Sequence, residues 1–244
     1  MKGKIYVVGI GPGRMDHMSL RAVDALGEAQ VVIGYSTYTD LIAGLVKGKE
    51  VISSGMRKET ERCMEALRLA ESGKSVALVS SGDPGVYGMA GIMLEILESR
   101  GSGVEIEIVP GITSSGAAAS ILGAPLMHDH ALISLSDLLT DWDLIKKRLE
   151  YAALGDFVIC LYNPRSKSRT EQIVEARQIL LRHRKGETPV GIVRDAMREG
   201  QKSAITTLEG MLEHTIDMTT VIIIGNSTTY VSRGRMITPR GYVL

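Results

Sequence analysis

The stretch VVGIGPGR, residues 7–14, contains the pattern on which the fold depends. An apolar, β-branched run ends there in a glycine-rich loop, and a helix is predicted to begin at Ser19. A strand, a glycine loop and a helix in this order are typical of α/β folds. In such folds ligands bind beyond the carboxyl ends of the strands. The loop is therefore a candidate ligand site, with a simple tight turn as the alternative.

The loop does not match the dinucleotide-binding fingerprint G-x-G-x-x-G. Counted from Gly9 and Gly11, the third glycine should be residue 14, which is Arg14. Pro12 also removes a backbone donor from the loop. The next apolar run ends at residues 34–35 without the acidic residue that would hold a ribose. The sequence thus argues against a nicotinamide-dependent oxidoreductase.

Similar apolar runs recur along the chain and predict further strands. Near-continuous hydrophobicity is typical of strands that are covered on both faces. The runs lie at 4–10, 30–35, 75–81, 104–110, 131–136, 157–162, 189–195 and 220–226. Segments with helical periodicity, such as 57–72 and 168–182, separate most of them. This alternation predicts an α/β protein with largely parallel sheets.

The segment GITSSGAAASILGAPLMHD, residues 111–129, is rich in small residues and contains Pro125. We expect a domain boundary there, because the chain is long enough for two cores. The prediction is an N-terminal α/β domain over residues 1–115 and a C-terminal α/β domain over residues 116–244.

Two more loops could hold a ligand. In SSGDPGVYGMAG, residues 80–91, Gly82 and Gly85 would let a ligand approach the backbone. Asp83 could cap the following helix or accept hydrogen bonds from a ribose or an ammonium group. In VPGITSSGAAAS, residues 109–120, hydroxyl residues precede a predicted helix start. An ordinary capped loop and a helix packed through its alanines are the alternatives.

Composition and charge argue against several classes of function. The 28 basic and 28 acidic residues cancel, and aromatic residues make up 4% of the chain. Both values argue against a nucleic-acid partner. Cys63 and Cys160 are far apart, so we expect free buried thiols and no metal site. We also expect a cytoplasmic protein without a membrane partner, since there is no signal peptide pattern and the apolar runs are far shorter than a membrane-spanning helix.

Taken together, the loop motifs resemble the tetrapyrrole methyltransferase family. They are GIGPG at 9–13, SGDPGVYG at 81–88 and VPGITS at 109–114. Later segments resemble the branch of this family that methylates C-17 of precorrin-3B or cobalt-precorrin-3. These are HDHALISLSDLLTDW at 128–142, DFVICLYNPRSKSR at 156–169, TPVGIVRDAMREGQ at 188–201, DMTTVIIIGNS at 217–227 and TPRGY at 238–242.

The resemblance implies two α/β domains with S-adenosylmethionine in the cleft between them, S-adenosylhomocysteine as the product, and a homodimer. It implies C-17 methylation of a reduced tetrapyrrole with ring contraction, in cobalamin biosynthesis. Another precorrin position or diphthine is the alternative acceptor. Carried over by motif, the cofactor-binding residues are Pro12, Gly82, Asp83, Val86, Thr113, Ser114, Asn163, Asp195, Ala196 and Thr220.

The chemistry of such a substrate suggests further candidates. Its carboxylates require cations, and arginine can bind a carboxylate through two hydrogen bonds. The substrate-binding candidates are Arg14, Arg165, Arg169 and Arg194. Ring contraction moves protons, but no acid or base can be assigned from the sequence. The weak candidates are His128, Asp129, His130 and Asp137.

Overall fold

The computed structural model of the protein describes residues 3–243. The chain forms two compact units that divide between Ser114 and Ser115. The assignment of an N-terminal domain to residues 1–115 and a C-terminal domain to residues 116–244 stays a prediction. In the described residues, no helix has both the length and the apolar character needed to cross a bilayer.

The first unit is a parallel sheet with helices on both faces. Its strands are β1 (Lys4–Gly9), β2 (Val31–Tyr35), β3 (Glu50–Ser54), β4 (Val76–Ser80) and β5 (Glu105–Val109). Its helices are α1 (Leu20–Glu28), α2 (Ser36–Leu41), α3 (Glu59–Glu71) and α4 (Ala90–Ser99). The strand order is β3-β2-β4-β1-β5, and every pair in it is parallel.

Side chains of successive strand residues in this unit point to opposite faces of the sheet. Ile5 and Val7 of β1 pack with α3 and α4, whereas Tyr6 and Val8 pack with α1. Ser19 begins α1 as predicted, since its side-chain oxygen accepts a hydrogen bond from the Ala22 backbone N–H. Burial on both faces explains why β1, β2 and β4 are almost continuously apolar.

The second unit also contains a central sheet with helices. Its helices are α5 (Ser114–Leu122), which begins at the division, α6 (Trp142–Leu154) and α7 (Glu171–Leu181). Its strands are β6 (Gly123–Ala124), β7 (His130–Ser134), β8 (Val158–Tyr162), β9 (Pro189–Arg194), β10 (Lys202–Thr207), β11 (Thr220–Ile224), β12 (Tyr230–Ser232) and β13 (Arg235–Ile237). The central order is β10-β9-β11-β8-β7, and a smaller sheet has the order β12-β13-β6.

The central sheet of the second unit is mixed, so the prediction of largely parallel sheets is wrong for this unit. Strands β7 and β8 are parallel, but β11 is antiparallel to both of its neighbours, β8 and β9. Strand β10 is antiparallel to β9 because residues 195–201 are too few to form a crossover helix. The α/β class itself is confirmed, and each predicted strand segment coincides with a strand.

One face of this sheet forms the main core of the second unit with α6 and α7. Ile159 and Leu161 of β8 belong to it, together with Leu149 of α6 and Ile179 of α7. On the other face, α5 contacts β9 through Leu122. Helices therefore cover both faces of this sheet.

Candidate functional site

The glycine loops identified in the sequence lie side by side in the first unit. Strands β4, β1 and β5 are neighbours and run parallel, so their carboxyl ends share one edge of the sheet. The first loop (residues 10–14), the second loop (81–89) and the third loop (110–113) follow these strands. This is the edge at which α/β proteins bind ligands.

The first and second loops are joined by a pair of backbone hydrogen bonds. The Gly11 N–H donates to the Gly82 carbonyl at 3.1 Å, and the Gly82 N–H donates to the Gly11 carbonyl at 2.9 Å. Gly82 has a φ of +66°, which favours glycine. A Cβ on Gly82 would stand 3.7 Å from Ser114 Oγ. Gly82 is therefore buried between the first loop and Ser114, with both of its backbone polar groups bonded to Gly11.

Asp83 joins the second loop to the third. Its Oδ1 accepts a hydrogen bond from the Gly85 N–H at 2.8 Å, and its Oδ2 accepts one from the Gly111 N–H at 3.1 Å. Asp83 does not cap α4, because Met89 occupies the N-cap position. Each carboxylate oxygen can accept a second hydrogen bond, so this half-buried group can also serve a ligand.

The other cofactor candidates of the first unit belong to the same loops. Pro12 is buried in the first loop, while Val86, Thr113 and Ser114 are half-buried in or beside the other two. Tyr87, which follows Val86, has a φ of 52°, a conformation that is costly for a tyrosine and is often found at functional sites. The structure therefore brings together the cofactor candidates predicted in this unit.

The cofactor candidates of the second unit also meet at one edge of a sheet, which we call the β8–β9 edge. Asn163 directly follows β8, and Asp195 and Ala196 follow β9. The antiparallel β11 begins there with Thr220, which pairs with Arg194. Asn163 and Asp195 have φ values of 49° and 50°, which Asn and Asp tolerate better than most residues. The chain thus turns sharply at both strand ends.

Arg169 also lies at the β8–β9 edge, but it is 7% exposed. One guanidinium nitrogen donates to the Leu135 carbonyl at 2.9 Å and to the Asn163 carbonyl at 2.5 Å. Because both acceptors are backbone carbonyls of the protein, these bonds indicate a structural role for Arg169. The sequence-based assignment of Arg169 to substrate carboxylates stays a prediction, and the burial of its side chain does not support it.

The remaining arginine candidates differ in their surroundings. Arg14 is exposed and forms two hydrogen bonds to Asp16, which lower the pKa of that carboxyl. Arg165 is exposed. Arg194 is half-buried, with its Nε 3.4 Å from Asp195 Oδ2. Arg14 and Arg165 are therefore the candidates most open to a substrate.

The weak catalytic candidates are divided between two edges of the second sheet. His128 and Asp129 precede β7 and His130 begins it, whereas Asn163 lies at the other edge. Strand β7 spans about 13 Å, so the structure separates these three residues from the β8–β9 edge. His128 and Asp129 instead line a cavity of about 320 Å³. Asp137 follows β7 at the β8–β9 edge, where its Oδ2 accepts a hydrogen bond from Gln172 at 2.8 Å.

Sequence reasoning missed two side chains at the β8–β9 edge. Ser134 Oγ accepts a hydrogen bond from Asn163 Nδ2 at 3.0 Å. Asp217 Oδ1 accepts one from Thr220 Oγ1 at 2.9 Å. Ser134 ends β7 in the structure, but it lies inside the predicted strand segment 131–136, so no signal in the sequence marked it.

The chain belongs to the Tetrapyrrole (Corrin/Porphyrin) Methylases, whose family model matches residues 4–212. The resemblance seen in the loop motifs is thereby confirmed, and the protein is a methyltransferase. Enzymes that methylate tetrapyrroles use S-adenosylmethionine.

Two relatives are similar over nearly the whole chain. A Cobalt-factor III methyltransferase of Priestia megaterium is 51% identical over 246 residues, which cover 99% of this chain and 46% of that protein. The chain thus spans about half the length of that relative. A Probable cobalt-factor III C(17)-methyltransferase of Salmonella typhimurium is 50% identical over 240 residues, which cover 98% of this chain and 100% of that protein.

Two solved structures have the same fold. The methyltransferase CobJ has a TM-score of 0.91 at 38% identity, covering 97% of this chain and 100% of that one. Uroporphyrin-III C-methyl transferase of Thermus thermophilus, complexed with S-adenyl homocysteine, has a TM-score of 0.73 at 26% identity, covering 91% of this chain and 97% of that one.

Proposed function

We propose that this protein transfers a methyl group from S-adenosylmethionine to C-17 of cobalt-factor III, with contraction of the ring, in cobalamin biosynthesis. The observation that carries the proposal is the set of three loops joined through Gly11, Gly82 and Asp83 at one sheet edge. The named C(17) specificity of a relative matched over its full length supports the choice of acceptor.

The loops of the first unit fit an adenosylmethionine ligand in their chemistry. Gly82 lies beside Ser114 without a side chain, and Thr113 and Ser114 supply hydroxyl groups. Asp83 keeps acceptor capacity for a ribose diol. We assign Pro12, Gly82, Asp83, Val86, Thr113 and Ser114 to the cofactor. From the second unit we assign Asn163, Asp195, Ala196 and Thr220, as the family resemblance implies.

The proposed reaction makes few demands on acids and bases at the methyl-transfer step. When bound, S-adenosylmethionine supplies a methyl group activated by its sulfonium. The acceptor carbon of a reduced tetrapyrrole is already electron-rich, so the protein has mainly to hold the reactants in position. Correct positioning can contribute roughly 7–11 kcal/mol to lowering a barrier. The loops joined by Asp83 provide a fixed frame for that task.

Arginines of both units suit the carboxylates of the substrate. Arg14 in the first loop and Arg165 beyond β8 are exposed, and an arginine can bind a carboxylate through two hydrogen bonds. Arg14 would exchange its bonds to Asp16 for bonds to the substrate. Arg194 is the third candidate. Of the proton-transfer candidates, we retain Asp137, because it lies at the β8–β9 edge.

A homodimer and a cytoplasmic location complete the proposal. The homodimer comes from the family resemblance, and sedimentation equilibrium of the purified protein tests it: a single monomeric species across micromolar concentrations would contradict it. Location can be tested by fractionating producing cells.

The decisive experiment is an anaerobic incubation with S-adenosylmethionine and cobalt-factor III, followed by mass spectrometry and absorbance. We expect the tetrapyrrole to gain one methyl mass and its spectrum to change. No gain with cobalt-factor III, together with methylation of another precorrin or of diphthine, would overturn the acceptor. No binding of S-adenosylhomocysteine in a titration would overturn the methyltransferase reading of the loops.

A matched pair of variants tests the role of the loops. Asp83→Ala removes both loop hydrogen bonds and should abolish detectable turnover. Asp24→Ala changes an exposed aspartate on α1 and should leave turnover within twofold of wild type. Equal activity of the two variants would remove Asp83 from the proposed site.

A further inference from the structure

Two arginines are buried in the second unit, and they bind opposite edges of the same sheet. The Arg169 side chain is 8% exposed and that of Arg184 is 4% exposed. Arg169 donates to carbonyls at the β8–β9 edge. Arg184 donates to the carbonyls of Phe157, which precedes β8, and of Gly225, which follows β11. A buried guanidinium requires such partners, so both arginines tie strand ends together.

Arg169 contacts three segments that end or begin strands. Its hydrogen bonds reach Leu135, directly after β7, and Asn163, directly after β8. A second guanidinium nitrogen lies 3.6 Å from the Met218 sulfur, two residues before β11. Its Nε is 3.9 Å from Asp137 Oδ1, too long for a strong ion pair. The carbonyl contacts therefore account for most of its placement.

The contact with Asn163 holds a residue whose backbone is in the left-handed region. Asn163 has a φ of 49°, and its carbonyl accepts the 2.5 Å hydrogen bond from Arg169. Its amide Nδ2 donates to Ser134 Oγ at the end of β7. The backbone and the side chain of Asn163 are thus held by separate partners. Loss of either partner would let the left-handed turn relax toward ordinary backbone.

We propose that Arg169 is a positioning residue for the cofactor, acting through the backbone of Asn163. This inference rests on the proposed function, which assigns Asn163 to S-adenosylmethionine. It replaces the direct contact between Arg169 and substrate that the sequence suggested. Arg184 makes the same kind of contacts at the other edge and serves as the matched control.

The test compares Arg169→Lys with Arg184→Lys by thermal unfolding, titration with S-adenosylhomocysteine, and steady-state kinetics. Lysine keeps the charge but lacks the planar fork that reaches two carbonyls. Both variants should lose thermal stability to a similar degree. Only Arg169→Lys should weaken S-adenosylhomocysteine binding, by about tenfold or more. It should also raise the KM for S-adenosylmethionine while the KM for the tetrapyrrole stays within twofold.

The possible outcomes distinguish a failure of the positioning role of Arg169 from a failure of the proposed function. Wild-type protein that fails to bind S-adenosylhomocysteine would overturn the proposed function. Wild-type binding together with equal loss of affinity in both lysine variants, or with none in Arg169→Lys, would overturn the positioning role. If Arg169→Lys does not fold, Ser134→Ala replaces it, because it removes the partner of Asn163 Nδ2, together with the acceptor of the Ser136 N–H. Affinity at least threefold weaker in Ser134→Ala would support the inference, and unchanged affinity would contradict it.

Discussion

Gly111 offers a direct test of how closely the loops of the first unit approach one another. A Cβ at this position would lie 2.2 Å from the Gly82 carbonyl oxygen and 2.7 Å from the Gly9 carbonyl carbon. Both are backbone atoms that cannot rotate away. Gly111→Ala therefore forces the third loop to move by roughly 1 Å before an ordinary contact distance is reached.

The movement has a cost that can be derived from the contacts. The bond from the Gly111 N–H to the Asp83 carboxylate would be lost, and bonds of this kind contribute about 1.5–3 kcal/mol. Disturbing the Gly11–Gly82 pair adds about 1 kcal/mol. We expect Gly111→Ala to lower the free energy of unfolding by about 3 kcal/mol. Gly82→Ala has room for its Cβ, and only its positive φ opposes it, at roughly 1–2 kcal/mol.

Urea denaturation and titration with S-adenosylhomocysteine check this ranking. Gly91→Ala is the control, since nothing lies within 4 Å of its Cβ and it sits in α4. It should stabilise the protein by roughly 0.5–1 kcal/mol and bind normally. Gly111→Ala should bind far more weakly. A Gly111→Ala variant as stable as wild type, or less damaging than Gly82→Ala, would refute the reasoning.

Three other predictions concern parts of the protein away from the loops. Hydrogen bonds, the strongest from Arg21, lower the pKa of Glu107 from 4.5 to about 2. The ionised Glu107 side chain therefore stabilises the fold fully above pH 4.5, and this stabilisation is lost as the pH falls toward 2. In urea denaturation, Glu107→Gln should lower the free energy of unfolding by about 1 kcal/mol at pH 6 and by much less at pH 2.5. An equal loss at both pH values would contradict the lowered pKa of Glu107. Arg233 has a φ of 49° in the two-residue turn between β12 and β13, a conformation that Asn adopts more readily than Arg. Arg233→Asn should therefore stabilise the protein by about 0.5 kcal/mol and raise its Tm. A lower Tm would contradict this prediction. Burial raises the pKa of Cys63 and Cys160 to about 12, so a thiol reagent at pH 8 should label them only after unfolding, and labelling of the native protein within minutes would disprove their burial.

Most strands that the sequence predicted are buried along nearly their whole length, although the edge strands β5 and β7, which have exposed residues, were predicted too. The edge strands β3 and β10 were missed. β3 contains Val51, which is 41% exposed, and β10 (KSAITT) is largely polar. An edge strand can be stable with only one apolar face, so its sequence can lack the continuous apolar run by which the other strands were predicted. The antiparallel direction of β11 could not be predicted from the sequence either, because an apolar run indicates a strand but not which strands it pairs with.

At the site, motif order predicted which loops matter but not what holds them together. Asp83 was expected to serve a ligand or a helix, and its bond to the Gly111 N–H depends on β1 lying beside both β4 and β5. The burial of Arg169 likewise depends on distant segments. The separation of His128 from Asp137 could have been anticipated, because one precedes β7 and the other follows it. Position relative to a strand end was more informative here than residue type.

The place of β11 in the second sheet has a consequence for how the chain is made. β8 and β9 both pair with β11 and not with each other, yet β11 comes some 26 residues after β9 in the sequence. On a translating ribosome, the first unit can close once β5 has emerged, whereas the middle of the second sheet must wait for residues 220–224. Such late, non-local pairing is slow and leaves apolar strand edges open in the interval. Nascent chains stalled before β11 should therefore be the species that chaperones and proteases engage most.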